Sequence, residues 1–221
     1  MKHENIIFDL DGTLCDSEEC ILSTLEATLA EMGDPVLPRE VLRRFISPPL
    51  IDSFIRYCGF TEEQAAKGLK IYQRIYAEGG WDKHVLFDGI EDILKALQSR
   101  GAQLFVATSK EEGAAEHVLE SMGINGYFRA VSGANKDNSI SKKKDILLSL
   151  FARENLKAED CVLVGDSPFD VRGAAEAGIN CIAVSYGFAT KEELADAGAK
   201  ILLNSVAELK TYHLETAEKE S

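Results

Sequence analysis

Nothing in this chain of 221 residues is continuously apolar over the roughly 20 positions a bilayer crossing needs, so no membrane-spanning helix is expected. A secretory leader is not expected either. Met1-Lys2-His3-Glu4 runs straight into an apolar stretch, without the graded zones of a signal peptide, and a cytoplasmic location is the expectation. Basic residues are scarce: 24 Lys and Arg stand against 37 Asp and Glu, for a formal net charge of −13. A polyphosphate backbone needs a basic face, which argues against nucleic acid as a partner. Small phosphates stay admissible, because a few lysines, a metal ion and backbone amides receive an anion even on an acidic protein. Cysteine is sparse as well. Cys15, Cys20, Cys58, Cys161 and Cys181 are odd in number, far apart and without metal-ligand spacing, so they are expected to be reduced and mostly buried. No repeat or low-complexity segment is evident.

What is present begins with Asn5-Ile6-Ile7-Phe8-Asp9-Leu10-Asp11-Gly12-Thr13-Leu14. The apolar run reads as a strand buried on both faces, the texture of a parallel sheet. In an extended chain Asp9 and Asp11 point the same way, with Leu10 turned back to the core, and Gly12 lets the chain leave sharply. Two acids crowded at a strand end repel each other unless a cation or a shared proton relieves them. A capping role, with Asp11 and Thr13 satisfying turn donors, is the plain alternative.

After Leu14 the period becomes helical. Ile21, Leu22, Leu25, Leu29 and Met32 form one amphipathic helix, with Ser17 as candidate cap and Gly33 as stop. A short helix follows from Pro38 through Phe45, another from Leu50 to Tyr57, and a longer one from a Thr61 cap to about Ala77, ending at Gly79-Gly80. From Leu86 onward, helices alternate with strands at Gln103 to Thr108, Phe128 to Ser132, Cys161 to Gly165, Cys181 to Ser185 and Ala199 to Leu203. This alternation implies a doubly wound, Rossmann-like α/β core with a parallel sheet. Residues 1–15 and 81–221 are expected to form that core, and residues 16–80 an inserted helical cap. Glu215, Glu218 and Glu220 are expected in a solvated, frayed tail.

Three more signals fall at predicted strand ends, where such sheets bind ligands. Thr108-Ser109 offers hydroxyls and amides for phosphate oxygens at a helix N-terminus, or merely a cap. Lys142-Lys143-Lys144 stands just before a helix expected from Lys144 to Arg153, where the dipole disfavours cations unless an anion is close; solvated surface lysines are the alternative. In Gly165-Asp166-Ser167-Pro168-Phe169-Asp170, four-residue spacing places Asp166 and Asp170 on one side of a starting helix, although Asp166 could simply cap it.

Together and in this order, these four signals resemble the motifs of the haloacid dehalogenase superfamily of phosphohydrolases. The helical insert resembles that family's helical cap, and Phe45-Ile46-Ser47-Pro48-Pro49-Leu50 resembles its phosphoglycolate phosphatase and 5′-nucleotidase-like branch, which usually has Gly in place of Ser47. The resemblance implies a Mg²⁺-dependent phosphomonoesterase for a small phosphorylated metabolite, most simply phosphoglycolate. A 5′-nucleotidase or pyrophosphatase is the alternative, and then a sugar phosphomutase. Such mutases usually carry a histidine early in the cap, where this chain has Cys20. By resemblance, Asp9 is the nucleophile that forms an aspartyl phosphate, and Asp11 the general acid and base. Thr108 or Ser109 and a lysine hold the phosphoryl group. The family pattern favours Lys143, with Lys142 as alternative. Mg²⁺ would take Asp9, Asp166 and the Asp11 carbonyl, with Asp170 acting directly or through water. Neither the substrate nor the choice between monomer and homodimer follows from the sequence.

Overall fold

A computed structural model describes residues 4–79, 83–137 and 139–215. The chain divides into two compact units, one of Met1–Asp16 with Val85–Ser221, the other of Ser17–His84.

The first unit begins with β1 (Asn5–Phe8), all four residues buried. The two-residue β2 (Cys15–Asp16) follows. The chain then passes through the helical unit and returns as β3 (Val85–Leu86), which pairs antiparallel with β2. This ribbon was not foreseen, since two residues carry no readable period. Then come α5 (Ile90–Ser99), β4 (Gln103–Glu111), α6 (Glu112–Ser121), β5 (Ala130–Ala134), α7 (Lys143–Glu154), β6 (Cys161–Gly165), α8 (Pro168–Glu176), β7 (Asn180–Val184), α9 (Lys191–Asp196), β8 (Ile201–Leu203) and α10 (Val206–Glu215).

The sheet order is β5-β4-β1-β6-β7-β8, parallel throughout. Strand order reverses about β1, which sits between β4 and β6, so the ligand crevice of such a sheet lies at the carboxyl ends of these three strands. One buried cluster shows how the strands are covered. Ile7 lies in register with Phe105 of β4 and Leu163 of β6, and all three pack with Ile146, Leu147 and Leu150 of α7 and Ala174 of α8.

The structure departs from the sequence reading in several places. Strand β4 runs on to Glu111 through an irregular register between Ala107 and Glu111, so Thr108 and Ser109 lie within a strand and neither end it nor open a helix; the cap of α6 is Glu111, whose carboxylate accepts from the Ala114 amide. Glu215 belongs to α10, not to a frayed tail. That helix is anchored by fully buried Leu209 and capped by Ser205, while Glu218 and Glu220 lie outside the described residues.

In the second unit, α1 (Glu18–Met32) ends at Gly33 with φ 77°. Ser17 precedes it, but its side chain makes no capping bond. Next come α2 (Arg39–Leu42), a 3-10 turn (Arg43–Phe45), α3 (Leu50–Cys58) and α4 (Glu62–Gly79). Thr61 and Gln64 exchange side-chain to backbone bonds of 2.9 and 3.2 Å, the reciprocal cap expected from their spacing; Gly80 lies outside the described residues. Phe45 and Phe54 form an edge-to-face pair within the core of this unit. Ser47 has φ 84°, a conformation that costs a non-glycine residue about 1 kcal/mol or more.

Candidate active site

Asp9 follows β1 directly, its amide held by the Val164 carbonyl of β6 at 2.9 Å. Its side chain is buried, as are those of Asp166 and Asp170. Each of the three can offer an oxygen within 4.8 Å of the others. Asp166 and Asp170 do not come together through helical spacing, because Asp166 lies before α8. Ser167 caps that helix, and Asp170 reciprocates: its Oδ2 accepts from the Ser167 amide at 3.0 Å and from the hydroxyl at 2.6 Å. The cap aims Asp170 back at the end of β6, where Asp166 stands.

Lys143 joins this cluster. It is the first residue of α7, and its Nζ lies 2.9 Å from Asp9 Oδ1 and 2.8 Å from Asp170 Oδ1. The same ammonium donates to the Ala107 carbonyl at 2.7 Å, so its three N–H groups face three acceptors. A cation at a helix start is thus matched by anions. Gly173 makes the approach possible, since a Cβ there would lie 2.6 Å from Lys143 Cβ. Lys142 is exposed and Lys144 half-buried, so of the three lysines only Lys143 meets the carboxylates.

Electrostatics follow from burial. Asp9 is pushed up to about 7, first by desolvation and then by the Asp170 charge, with Lys143 opposing. Asp166 is raised well above the usual carboxylate range by burial and by Asp170 and Asp9, against the pull of the Phe188 amide and the Thr13 hydroxyl. Burial opposes the charge on Lys143, yet Asp170 and Asp9 prevail and hold it above an ordinary lysine.

The Asp11 Oδ2 lies 3.0 Å from Lys110 Nζ, a mostly buried pair. Lys110 was missed in the sequence, although two-residue spacing along β4 places it on the side of Thr108. Thr108 is buried and its hydroxyl accepts from the Lys110 amide at 3.2 Å; Ser109 is half-buried. The segment after β7 was also missed: Phe188 donates its amide to Asp166 Oδ2 at 2.8 Å.

The donor set suits a hard divalent cation. All three candidate ligands are buried carboxylates within reach of one another, and the single ammonium of Lys143 among them leaves the cluster short of positive charge. Oxygen-only clusters of this kind favour Mg²⁺, Ca²⁺ or Mn²⁺ over softer metals.

Comparison with known proteins agrees with this geometry. The family described as haloacid dehalogenase-like hydrolase matches residues 6–184. A 5′-nucleotidase of Pseudomonas aeruginosa is 37% identical over 196 residues, 88% of this chain and 88% of that protein. A phosphoglycolate phosphatase of Pseudomonas syringae pv. tomato is 32% identical over 216 residues, 92% of this chain and 77% of that protein. The crystal structure of a predicted phosphatase from Clostridium acetobutylicum superposes with a TM-score of 0.93 at 36% identity, covering 97% of this chain and 100% of that one. With its motif-bearing strand ends converging on one buried carboxylate cluster, the chain belongs to the haloacid dehalogenase-like hydrolases and is a phosphatase of that family.

Proposed function

We propose that the chain is a Mg²⁺-dependent phosphomonoesterase that works through an aspartyl phosphate on Asp9. The observation that carries this is Lys143, buried among carboxylates and 2.9 Å from Asp9, which supplies fixed positive charge where a phosphoryl group must come. Asp9 attacks phosphorus and takes the phosphoryl group. Asp11 protonates the leaving oxygen and then takes a proton from the water that cleaves the intermediate. Thr108, Ser109 and Lys143 hold the equatorial oxygens as charge builds on them. Asp9, Asp166 and the Asp11 carbonyl would hold Mg²⁺, with Asp170 beside them, and the ion supplies further neutralisation of phosphoryl charge.

For the substrate, phosphoglycolate comes first, supported by the likeness to phosphoglycolate phosphatases. A nucleoside 5′-monophosphate is the second choice, favoured by the 37% identity to a 5′-nucleotidase over 88% of both chains. The setting is the cytoplasm, a reducing compartment that suits five free cysteines.

The test is phosphate release from 2-phosphoglycolate, nucleoside 5′-monophosphates, pyrophosphate and p-nitrophenyl phosphate, with EDTA and with added Mg²⁺. Turnover that EDTA stops and Mg²⁺ restores is expected, with phosphoglycolate giving the highest kcat/KM. A higher value for a nucleotide moves the substrate to that class. No release from any of the four overturns the proposal.

A further inference from the structure

The segment that follows β7 carries none of the four sequence signals, yet it closes tightly around Asp166. Phe188 donates its amide to Asp166 Oδ2 at 2.8 Å, and the Thr13 hydroxyl donates to Oδ1 at 3.0 Å. The Tyr186 hydroxyl in turn donates to the Thr13 carbonyl at 3.0 Å, and its ring stands edge-on to Phe87, with centroids 5.3 Å apart. Between these two anchors lies Gly187, where a Cβ would fall 2.3 Å from Asp166 Oδ2 and 2.3 Å from the Gly12 carbonyl. Gly12, with φ +83°, leaves the same absence of room: a Cβ there would lie 2.2 Å from Asp166 Oδ2. Backbone from two strand ends is thus pressed onto one fully buried carboxylate.

One donor on each oxygen fixes the plane of that carboxylate, and each oxygen keeps a lone pair for another partner. We infer that Tyr186-Gly187-Phe188 is a positioning strap that fixes the orientation of Asp166 and so sets the affinity of the carboxylate cluster for its divalent cation. This rests on Asp166 as a metal ligand. The strap touches the ligand and not the cation, as outer-shell groups do, and loss of such groups typically costs 10- to 100-fold in metal affinity.

The experiment is calorimetric titration of the full chain with Mn²⁺, alongside the melting temperature of the metal-free protein. Tyr186→Phe keeps the ring and removes one hydroxyl; about 10-fold weaker Mn²⁺ binding is expected, with the metal-free melting temperature little changed. Gly187→Ala is expected to weaken binding by about 100-fold. If that variant does not fold, Tyr186→Phe decides alone. A strap that serves only the fold would lower the metal-free melting temperature and leave the Mn²⁺ affinity of Tyr186→Phe at the wild-type value, and that result overturns the inference. Failure of the wild type to bind Mn²⁺ would instead remove the metal cluster itself, and the strap with it.

Discussion

Replacing Lys143 with Met keeps much of the side-chain volume and removes a positive charge that faces two buried acids. The ammonium lies 2.9 Å from Asp9 and 2.8 Å from Asp170. At an effective dielectric of about 20, each contact represents an attraction of about 6 kcal/mol, against which several kcal/mol of desolvation per ion must be set. Breaking one side of such an arrangement costs roughly 3–5 kcal/mol, which for a chain of this length lowers Tm by roughly 6–20 °C. The measurement is thermal and urea unfolding at pH 8 in EDTA. Because the folded pKa of Lys143 is raised, its contribution is fully present below the unfolded lysine value of about 10.4 and is lost only as pH rises through the folded value. Exposed Lys142 is the internal control, with Lys142→Met expected within about 0.5 kcal/mol of wild type. Added Mg²⁺ should narrow the Lys143→Met deficit, since a bound cation offsets the same carboxylates. Equal stability of the two variants in EDTA would refute the assigned role of Lys143.

Asp9→Asn should stabilise the metal-free protein at neutral pH. A carboxyl raised from 3.8 to about 7 binds protons more tightly in the folded state, so wild-type stability falls as pH rises from about 4 to 7. The variant escapes that loss, gaining up to roughly 4 kcal/mol above pH 7 and nothing below pH 4; a difference that does not vary with pH would contradict the cause given. Ser47→Gly removes the penalty of φ 84° and is expected to raise stability by about 1 kcal/mol in urea unfolding. Asn155, at φ 54°, should gain less from the same change, because Asn tolerates the left-handed region; the opposite ranking would count against strain at Ser47. Gly12→Ala meets both a positive φ and a contact of 2.2 Å to Asp166, so it should cost more than about 2 kcal/mol, and a neutral result by urea unfolding would show that the approach is not tight.

Much of this architecture was legible because its signals are local. The run Ile6-Ile7-Phe8 reads as a buried strand, and Cys161–Gly165 falls where its apolar run predicts. For the lysine run, the helix dipole asks for a nearby anion without saying which lysine meets it; the family pattern favours Lys143, and it is Lys143 that lies against Asp9 and Asp170. The joining of Asp166 and Asp170 was foreseen on the wrong ground. A reciprocal cap with Ser167 aims Asp170, and helical spacing does not. Least legible were contacts made by backbone or by strands too short to show a period: the ribbon of Cys15–Asp16 with Val85–Leu86, the extension of β4 to Glu111, and the Phe188 amide on Asp166. An amide carries no side-chain signature, so its placement is set by the fold alone.

The most direct measurement is phosphate release by wild type and by Asp9→Asn, each with Mg²⁺ and with matched circular dichroism spectra. Loss of turnover in a variant that remains folded is the expected result, because the substitution removes the attacking oxygen and leaves the apolar core intact. Substantial turnover by purified Asp9→Asn would contradict an aspartyl phosphate on Asp9, and with it the chemistry assigned to the carboxylate cluster.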